Sequence, residues 1–344
     1  SCQVAVVHCS AQTLASHVIH KLSTVCQMSQ TQTGRVYRPR DAGRVVLYLK
    51  DINLPKPDKY ETAELVAFLQ QLVTYQGFYD KNLDFVGLQN VHVVASMNPS
   101  TTVGRYPLST RFTANVRLAY IDYPQKEQLY SIYSSLNRVV LSKCCAGSAT
   151  WDTPAAAQKL AQALVDVFEQ VRRKFSVDEQ RHYLFTPRDL TQWVQGLMRY
   201  ELASSQPLLD TWAFEGARQL RDRLVNARDA SRFDNIVASA LRTHFEHNVD
   251  NSGFTYSSLL GGLSDRAGAA PDRALTLLRA PVTDFEKIVA QGLKQFEREV
   301  KEIGLVLFPE ALDAVVRMDR VLSKPGGNLL LVGSSGVGRR SALS

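Results

Sequence analysis

Gly326-Gly-Asn-Leu-Leu-Leu-Val332, followed by Gly333-Ser-Ser-Gly-Val-Gly338-Arg-Arg-Ser341, is the stretch that decides the fold class. Residues 329–332 read as a buried strand, and the strand feeds a turn with Gly-x-x-x-x-Gly spacing from Gly333 to Gly338. Glycines so spaced let successive backbone N–H groups curl around phosphate oxygens. Gly333, Ser334, Ser335, Gly336, Val337 and Gly338 are therefore expected to bind phosphate through the main chain. The usual lysine position holds Arg339, whose guanidinium still neutralises phosphate but with a different reach. The usual Ser or Thr, which would hold Mg2+, is Arg340. Ser341 follows one residue late, about 100° round a helix, and cannot simply replace it. This loop is expected to bind nucleotide with little dependence on Mg2+ and to hydrolyse it slowly if at all; the alternative is that the two arginines fill the pocket. A phosphate loop cut off as its helix begins is expected to belong to something longer.

Upstream, strands and helices alternate. Residues 4–8 read as a buried parallel strand, followed by Ser10 and a helical pattern through Leu14, Val18 and Leu22. Residues 45–49 form a second such strand, then come a loop over 53–58 and a helix with Leu65, Val66, Leu69, Leu72 and Val73 on one face. Residues 91–96 and 115–121 are the third and fourth strands. The alternation predicts a doubly wound α/β layer. From about Pro124 the strands stop. Thr153-Pro154 and Thr186-Pro187 each set an N-cap before a proline at the first helical position, opening helices of an α-helical subdomain. Residues 250–282 have the Gly, Ser, Ala and Pro content of a linker. Thr283-x-x-Glu286 reads as a capping box for a helix through Phe285, Val289, Leu293, Phe296 and Val300, and a further helix carries Leu312, Val315, Val316 and Leu322. The expected division is a large α/β subdomain over 1–124, a small helical subdomain with its connection over 125–282, and the start of a second α/β module over 283–344.

Composition sets bounds on function. The 344 residues are 45% hydrophobic and 21% charged, as in an ordinary globular protein. No apolar run approaches the ~20 residues that span a bilayer, so no transmembrane segment is expected. Five cysteines without a Cys-x-x-Cys pair argue for a reducing compartment, with Cys144-Cys145 read as packing residues. The net charge of +7 invites a polyanion, but the basic residues are scattered. The densest cluster, Arg172-Arg173-Lys174, lacks aromatic interleaving and reads as a solvated helix face, so no nucleic acid is expected. The His17/His20 and His244/His247 pairs have metal spacing but no third ligand nearby, and no metal site is expected.

The first α/β layer carries chemistry at its strand ends. A nucleotide-hydrolysing layer needs a strand ending in two carboxylates, one for Mg2+ and one to orient water, and a polar sensor on a neighbouring strand. Here the second strand ends in Lys50-Asp51, a lysine where the metal ligand belongs and a shortened acid beside it. Lysine cannot ligate Mg2+, although its ammonium can approach phosphate. The third strand ends in Met97-Asn98, which is either a γ-phosphate sensor or, with Pro99, a simple turn. Arg111 lies ahead of the fourth strand, where an arginine in ring ATPases projects onto the neighbouring subunit's nucleotide. Arg188, in the first turn of a capped helix, is placed to read a phosphate from above. Either arginine taken singly also reads as a surface ion-pair partner; the order acid, Asn, Arg, helical-domain Arg is the specific signal.

That order resembles AAA+ modules, and the local wording resembles dynein heavy chains. Tyr48-Leu-Lys-Asp-Ile-Asn-Leu-Pro55, Tyr75-Gln-Gly-Phe-Tyr79, Ala95-Ser-Met-Asn-Pro99, Gly104-Arg105, Leu108-Ser-Thr-Arg-Phe112 and Ile121-Asp-Tyr-Pro124 are similar to a third dynein module, in order. Phe185-Thr-Pro-Arg-Asp-Leu-Thr-Gln-Trp193 resembles its helical subdomain, and Leu305-Val-Leu-Phe308, Met318-Asp-Arg-Val-Leu322 and the closing loop resemble the start of a fourth. Leu49-Lys-Asp-Ile-Asn-Leu-Pro55 and Gly336-Val-Gly-Arg-Arg340 both resemble the second cytoplasmic dynein, the intraflagellar-transport type. The resemblance implies an ATPase motor ring, with ATP or ADP as ligand. In such a ring Lys50, Asp51, Asn98, Arg111 and Arg188 would be site residues of a weakly hydrolytic, regulatory segment. It implies neighbouring AAA+ modules as partners, and, through regions outside this chain, microtubules on a coiled-coil stalk, intermediate and light chains and transport particles. It implies a place in the cytoplasm, cytoskeleton and cilium. It also implies that the third module's own phosphate loop and central strand lie outside the chain, which is then not expected to fold alone. The rival readings are another ring remodelling ATPase and a basic nucleic-acid-binding protein.

Overall fold

The computed structural model describes residues 1–32, 34–202, 207–249, 253–261, 274–300, 304 and 306–332. They form two compact units, Ser1–Ile121 and Asp122–Ser344. In chain order the first contains β1 (Cys2–His8), α1 (Ala15–Val25), β2 (Cys26–Thr31), β3 (Gly34–Pro39), β4 (Arg44–Lys50), α2 (Glu64–Tyr75), β5 (Gly77–Tyr79), β6 (Phe85–Leu88), β7 (Val91–Ser96) and the short α3 (Thr110–Thr113).

Three of the strands that the apolar runs predict are present, and they form one parallel sheet in the order β1-β4-β7. Alternation selects the buried face. Val45, Leu47 and Leu49 of β4 are fully buried in one core with Val18 and Leu22 of α1 and Leu65, Leu69 and Leu72 of α2. The fourth expected strand, 115–121, is not a strand. Leu118, Tyr120 and Ile121 are exposed, Ile121 at 89%. An apolar run becomes a strand only where a neighbour takes up its N–H and C=O groups, and among the described residues this run has no such neighbour. A second sheet, β2-β3-β6-β5, pairs a β2–β3 hairpin with short strands after α2. Its polar edge strand Cys26-Gln-Met-Ser-Gln-Thr31 carries little apolar alternation, which hides it from pattern reading.

The second unit contains α4 (Lys126–Cys144), α5 (Pro154–Lys174), α6 (Pro187–Gly196), α7 (Leu208–Gln219), α8 (Ala227–Phe245), β8 (Phe254–Ser257), β9 (Leu278–Pro281), α9 (Val282–Glu299) and α10 (Pro309–Leu322). The spacing of Leu160, Leu164, Val167, Phe168 and Val171 makes α5 the spine of the helical core, and all five are fully buried. The hydroxyl of Thr153 accepts from Ala156 N–H at 3.2 Å, the cap that opens α5. At α6 the box is closed by Asp189, which accepts from Thr186 N–H at 2.8 Å. Trp193 and Trp212 stack with centroids 4.5 Å apart, and only glycine fits at 216, where a Cβ would stand 2.1 Å from the Trp193 ring.

Three expectations are corrected in this unit. The segment 250–282 is not all linker: β8 and β9 pair antiparallel, and Tyr256 packs into the helical core. Helix α9 begins at Val282 after Pro281 with no side-chain cap bond, so Thr283 lies inside the helix and the Thr283–Glu286 capping box does not form. Residues 329–332 are not a strand; Leu330 and Val332 are exposed, for want of a ladder partner among the described residues. All five cysteines are free, and Cys145 is buried in the helical core. His244 pairs with Asp166 at 2.8 Å and His247 with Asp210 at 2.9 Å, and no metal-holding group of side chains occurs among the described residues. No helix there is long and apolar enough to cross a membrane.

Candidate nucleotide site

The parallel register sets His8 opposite Lys50 and Lys50 opposite Ser96, so β1, β4 and β7 end level. The carboxyl end of an open parallel sheet is where such folds bind ligands, because strand-to-helix loops gather there. Lys50 is exposed at this edge as the last residue of β4. The next residue, Asp51, takes a left-handed backbone with φ 65°. That conformation costs a non-glycine residue about 1 kcal/mol or more and persists only when surroundings enforce it. Here they do. Ser96 C=O accepts from both Asp51 N–H at 2.9 Å and Ile52 N–H at 3.2 Å, turning the chain sharply off the strand.

Asn53, buried, ties this loop to the one after β7. Its Nδ2 donates to Asn98 C=O at 2.8 Å, while its own C=O accepts from Tyr106 N–H at 3.0 Å. Asn53 Oδ1 is buried without a hydrogen-bond partner among the described residues. The side chain of Asn98 remains exposed beside this stitch. The structure therefore brings Lys50, Asp51 and Asn98 to neighbouring positions at the ends of β4 and β7.

One neighbour escapes sequence reading. Arg105 follows Gly104 (φ 78°), and its Nη1 lies 3.0 Å from Asp51 Oδ1, with the two side chains 13% and 26% exposed. The nitrogen is buried and out of hydrogen-bond alignment, so the contact is one of charge. Nothing local in the sequence marks a pairing across more than fifty residues. Cys9, whose N–H donates to Lys50 C=O at 2.9 Å, is also part of this edge. Burial, and then the negative charge of Asp51, push its thiol up to about 11, so it is inert at neutral pH.

Arg111 is exposed on α3, a single turn capped by Ser109 Oγ, which accepts from Phe112 N–H at 3.3 Å. Arg188 belongs to the second unit and is exposed in the first turn of α6; its neighbour Asp189 is buried and pairs with Arg223. Gly333, Ser334, Ser335, Gly336, Val337, Gly338, Arg339, Arg340 and Ser341 lie outside the described residues.

A parallel sheet with its polar groups at the strand ends, continued in the same chain by a bundle of capped helices, follows the plan of an AAA+ P-loop ATPase module. Family models match along the chain in order: P-loop containing dynein motor region over 1–124, dynein heavy chain ATPase lid domain over 136–230, and P-loop containing dynein motor region D4 over 303–344. The chain belongs to the dynein heavy chain family. It is similar to the cytoplasmic dynein 2 heavy chain 1 of Tripneustes gratilla (46% identity) and of Homo sapiens (46%), each over 100% of this chain, and to that of Chlamydomonas reinhardtii (44% over 99%). The chain spans about 8% of the length of each of these relatives.

Proposed function

We propose that this chain is a mainly regulatory, nucleotide-binding part of a dynein motor ring, of the kind that drives minus-end-directed retrograde intraflagellar transport along microtubules. Identity of 44–46% to heavy chains named cytoplasmic dynein 2 supports the subtype, and with it a place in the cytoplasm, cytoskeleton and cilium. Residues 1–124 are then the large subdomain of one module, 125–282 its helical subdomain and connection, and 283–344 the start of the next, with Gly333–Ser341 as that module's phosphate loop. The neighbouring modules of the ring are its immediate partners; the coiled-coil stalk, the microtubule, the intermediate and light chains and the transport particles belong to other regions of the heavy chain.

The observation that carries the reading is the meeting of Lys50, Asp51 and Asn98 at one sheet edge. These residues suit a nucleotide phosphate, offering an ammonium and an amide. They do not suit Mg2+: an ammonium stands at the metal-ligand position, and the remaining carboxylate is paired with Arg105. Nucleotide here is expected to act as a held ligand that biases the ring's conformation, with slow turnover. In the full motor with hydrolysis in the first module disabled, K50D combined with D51E is expected to raise ATP turnover by at least about tenfold, because metal and water would then both be held. A parental site that already turns over at the pace of the first module overturns the reading.

A further inference from the structure

Asp51 is the only carboxylate at the strand ends of this site among the described residues, and the fold commits it to a partner. Two loops meet there. One leaves β4 through the left-handed Asp51, and the other leaves β7 and turns back through Arg105, whose N–H donates to Thr102 C=O at 3.1 Å. The bonds from Asn53 to Asn98 and from Tyr106 to Asn53 fix the two loops to one another on either side of the pair. The Arg105 guanidinium thus reaches Asp51 from a braced backbone, and Asp51 is its one ionic contact among the described residues.

We propose that Arg105 is a positioning residue that restrains Asp51, holding its carboxylate in an ion pair so that nucleotide bound here persists unhydrolysed. The inference rests on the reading of this edge as a nucleotide site. Its physical basis is the cost of breaking the pair. To turn toward a water, Asp51 must leave the pair. That step leaves a guanidinium only 13% exposed without its counter-charge, which is the expensive state of a buried pair. Lys50 and Arg105 then slow the same site in separate ways, one by excluding the metal and the other by engaging the acid.

Separate causes predict a specific pattern in the full motor whose first module is disabled. With K50D as background, R105Q is expected to raise kcat by at least about tenfold, toward the range that a freed general base contributes, with KM within about twofold. R105K, which keeps the charge, is expected to hold kcat nearer to K50D alone than to the glutamine variant. Retention of a fluorescent ATP analogue at this site is read alongside, and R105Q is expected to shorten it while leaving the initial binding affinity unchanged. Hydrogen exchange over residues 96–106 checks that the loops stay folded in each variant. Nucleotide bound with kcat unchanged or lowered by R105Q overturns the role of Arg105, as does a lysine variant that matches the glutamine one. A site that takes up no analogue in the parental motor overturns the nucleotide reading, and the role of Arg105 with it.

Discussion

Arg111 and Arg105 show how differently two arginines six residues apart can be used. Arg105 is drawn into its own unit by Gly104 and spends its charge on Asp51. Arg111 sits on a one-turn helix whose other face buries Phe112, and that burial turns the guanidinium outward. An exposed arginine carried by a capped turn is free to serve a pocket on a neighbouring module, which is the role proposed for Arg111. R111A in the full motor is therefore expected to lower microtubule-stimulated ATPase by at least about tenfold, below the full effect of an arginine finger because this finger would serve a neighbouring module and not the first. The melting temperature should hardly move, since an exposed substitution of this kind changes stability by only about 0.5 kcal/mol or less. R111K should recover part of the loss. Unchanged stimulated turnover in R111A would return Arg111 to an ordinary surface role. Arg188 is likewise exposed in its own unit, and its neighbour Asp189, the cap partner of Thr186, is already engaged by Arg223.

Among the elements, α10 is held by a buried ionic knot and not by apolar packing alone. Glu215 on α7, 1% exposed, accepts from Tyr200 Oη at 2.7 Å and from Arg320 Nε at 3.0 Å. Burial by itself would pull the Arg320 guanidinium below its ordinary range, but the Glu215 carboxylate overrides it and holds it above. Arg199 donates to Arg320 C=O at 2.6 Å and to Ser323 Oγ at 2.7 Å, and Asp319 accepts from Ser258 N–H at 2.7 Å. Glycine at 196 is part of the same device, because a Cβ there would stand 1.9 Å from Glu215 Oε1. Breaking one side of such a pair costs about 3 kcal/mol, so E215Q is expected to speed hydrogen exchange across α10 by about a hundredfold. E215L with R320M, which removes both charges, should recover most of that protection. Exchange in E215Q no faster than in the parent would mean that apolar packing alone holds the helix. None of this knot is legible in the sequence, because its members lie up to 124 positions apart and its charged members read locally as surface charges. What was legible followed from local apolar runs, periodicity and caps: the strands β1, β4 and β7, the stripe on α5, and the Thr-Pro openings of α5 and α6. Residues 115–121 and 329–332 misled for the converse reason, since apolarity proposes a strand but only a partner's backbone makes one. Lys50, Asp51 and Asn98 were legible because the strand ends that carry them were. Arg105 was not, because its position depends on how two loops cross.

For the molecule as a whole, the two faces of the parallel sheet are unequal. The face of Ala5, Val7, Val45, Leu47 and Leu49 is sealed by α1 and α2. On the opposite face Val4 (58% exposed), Val6 and Val94 are open to solvent, and the uncovered apolar run at 118–121 lies in the same unit. Among the described residues the far edge of β7 carries no ladder partner either, since β7 pairs there only with β4. Apolar face and open edge together are the two features that soluble monomers avoid, because the first drives collapse onto other molecules and the second templates strand addition. The sealed face gives no such drive, and the helical unit buries its large aromatics Trp193, Trp212 and Phe168 completely. The open face and edge of the sheet unit should therefore contribute to self-association. The chain expressed by itself is expected to bind a hydrophobic dye strongly and to sediment as a concentration-dependent mixture. V6T with V94T should weaken both effects, since it removes apolar surface while keeping β-branched side chains that suit a strand. The same pair of substitutions on a fully covered face would lower stability and leave the dye signal unchanged. A monodisperse monomer with no dye binding would show that the open face is not sticky enough to matter.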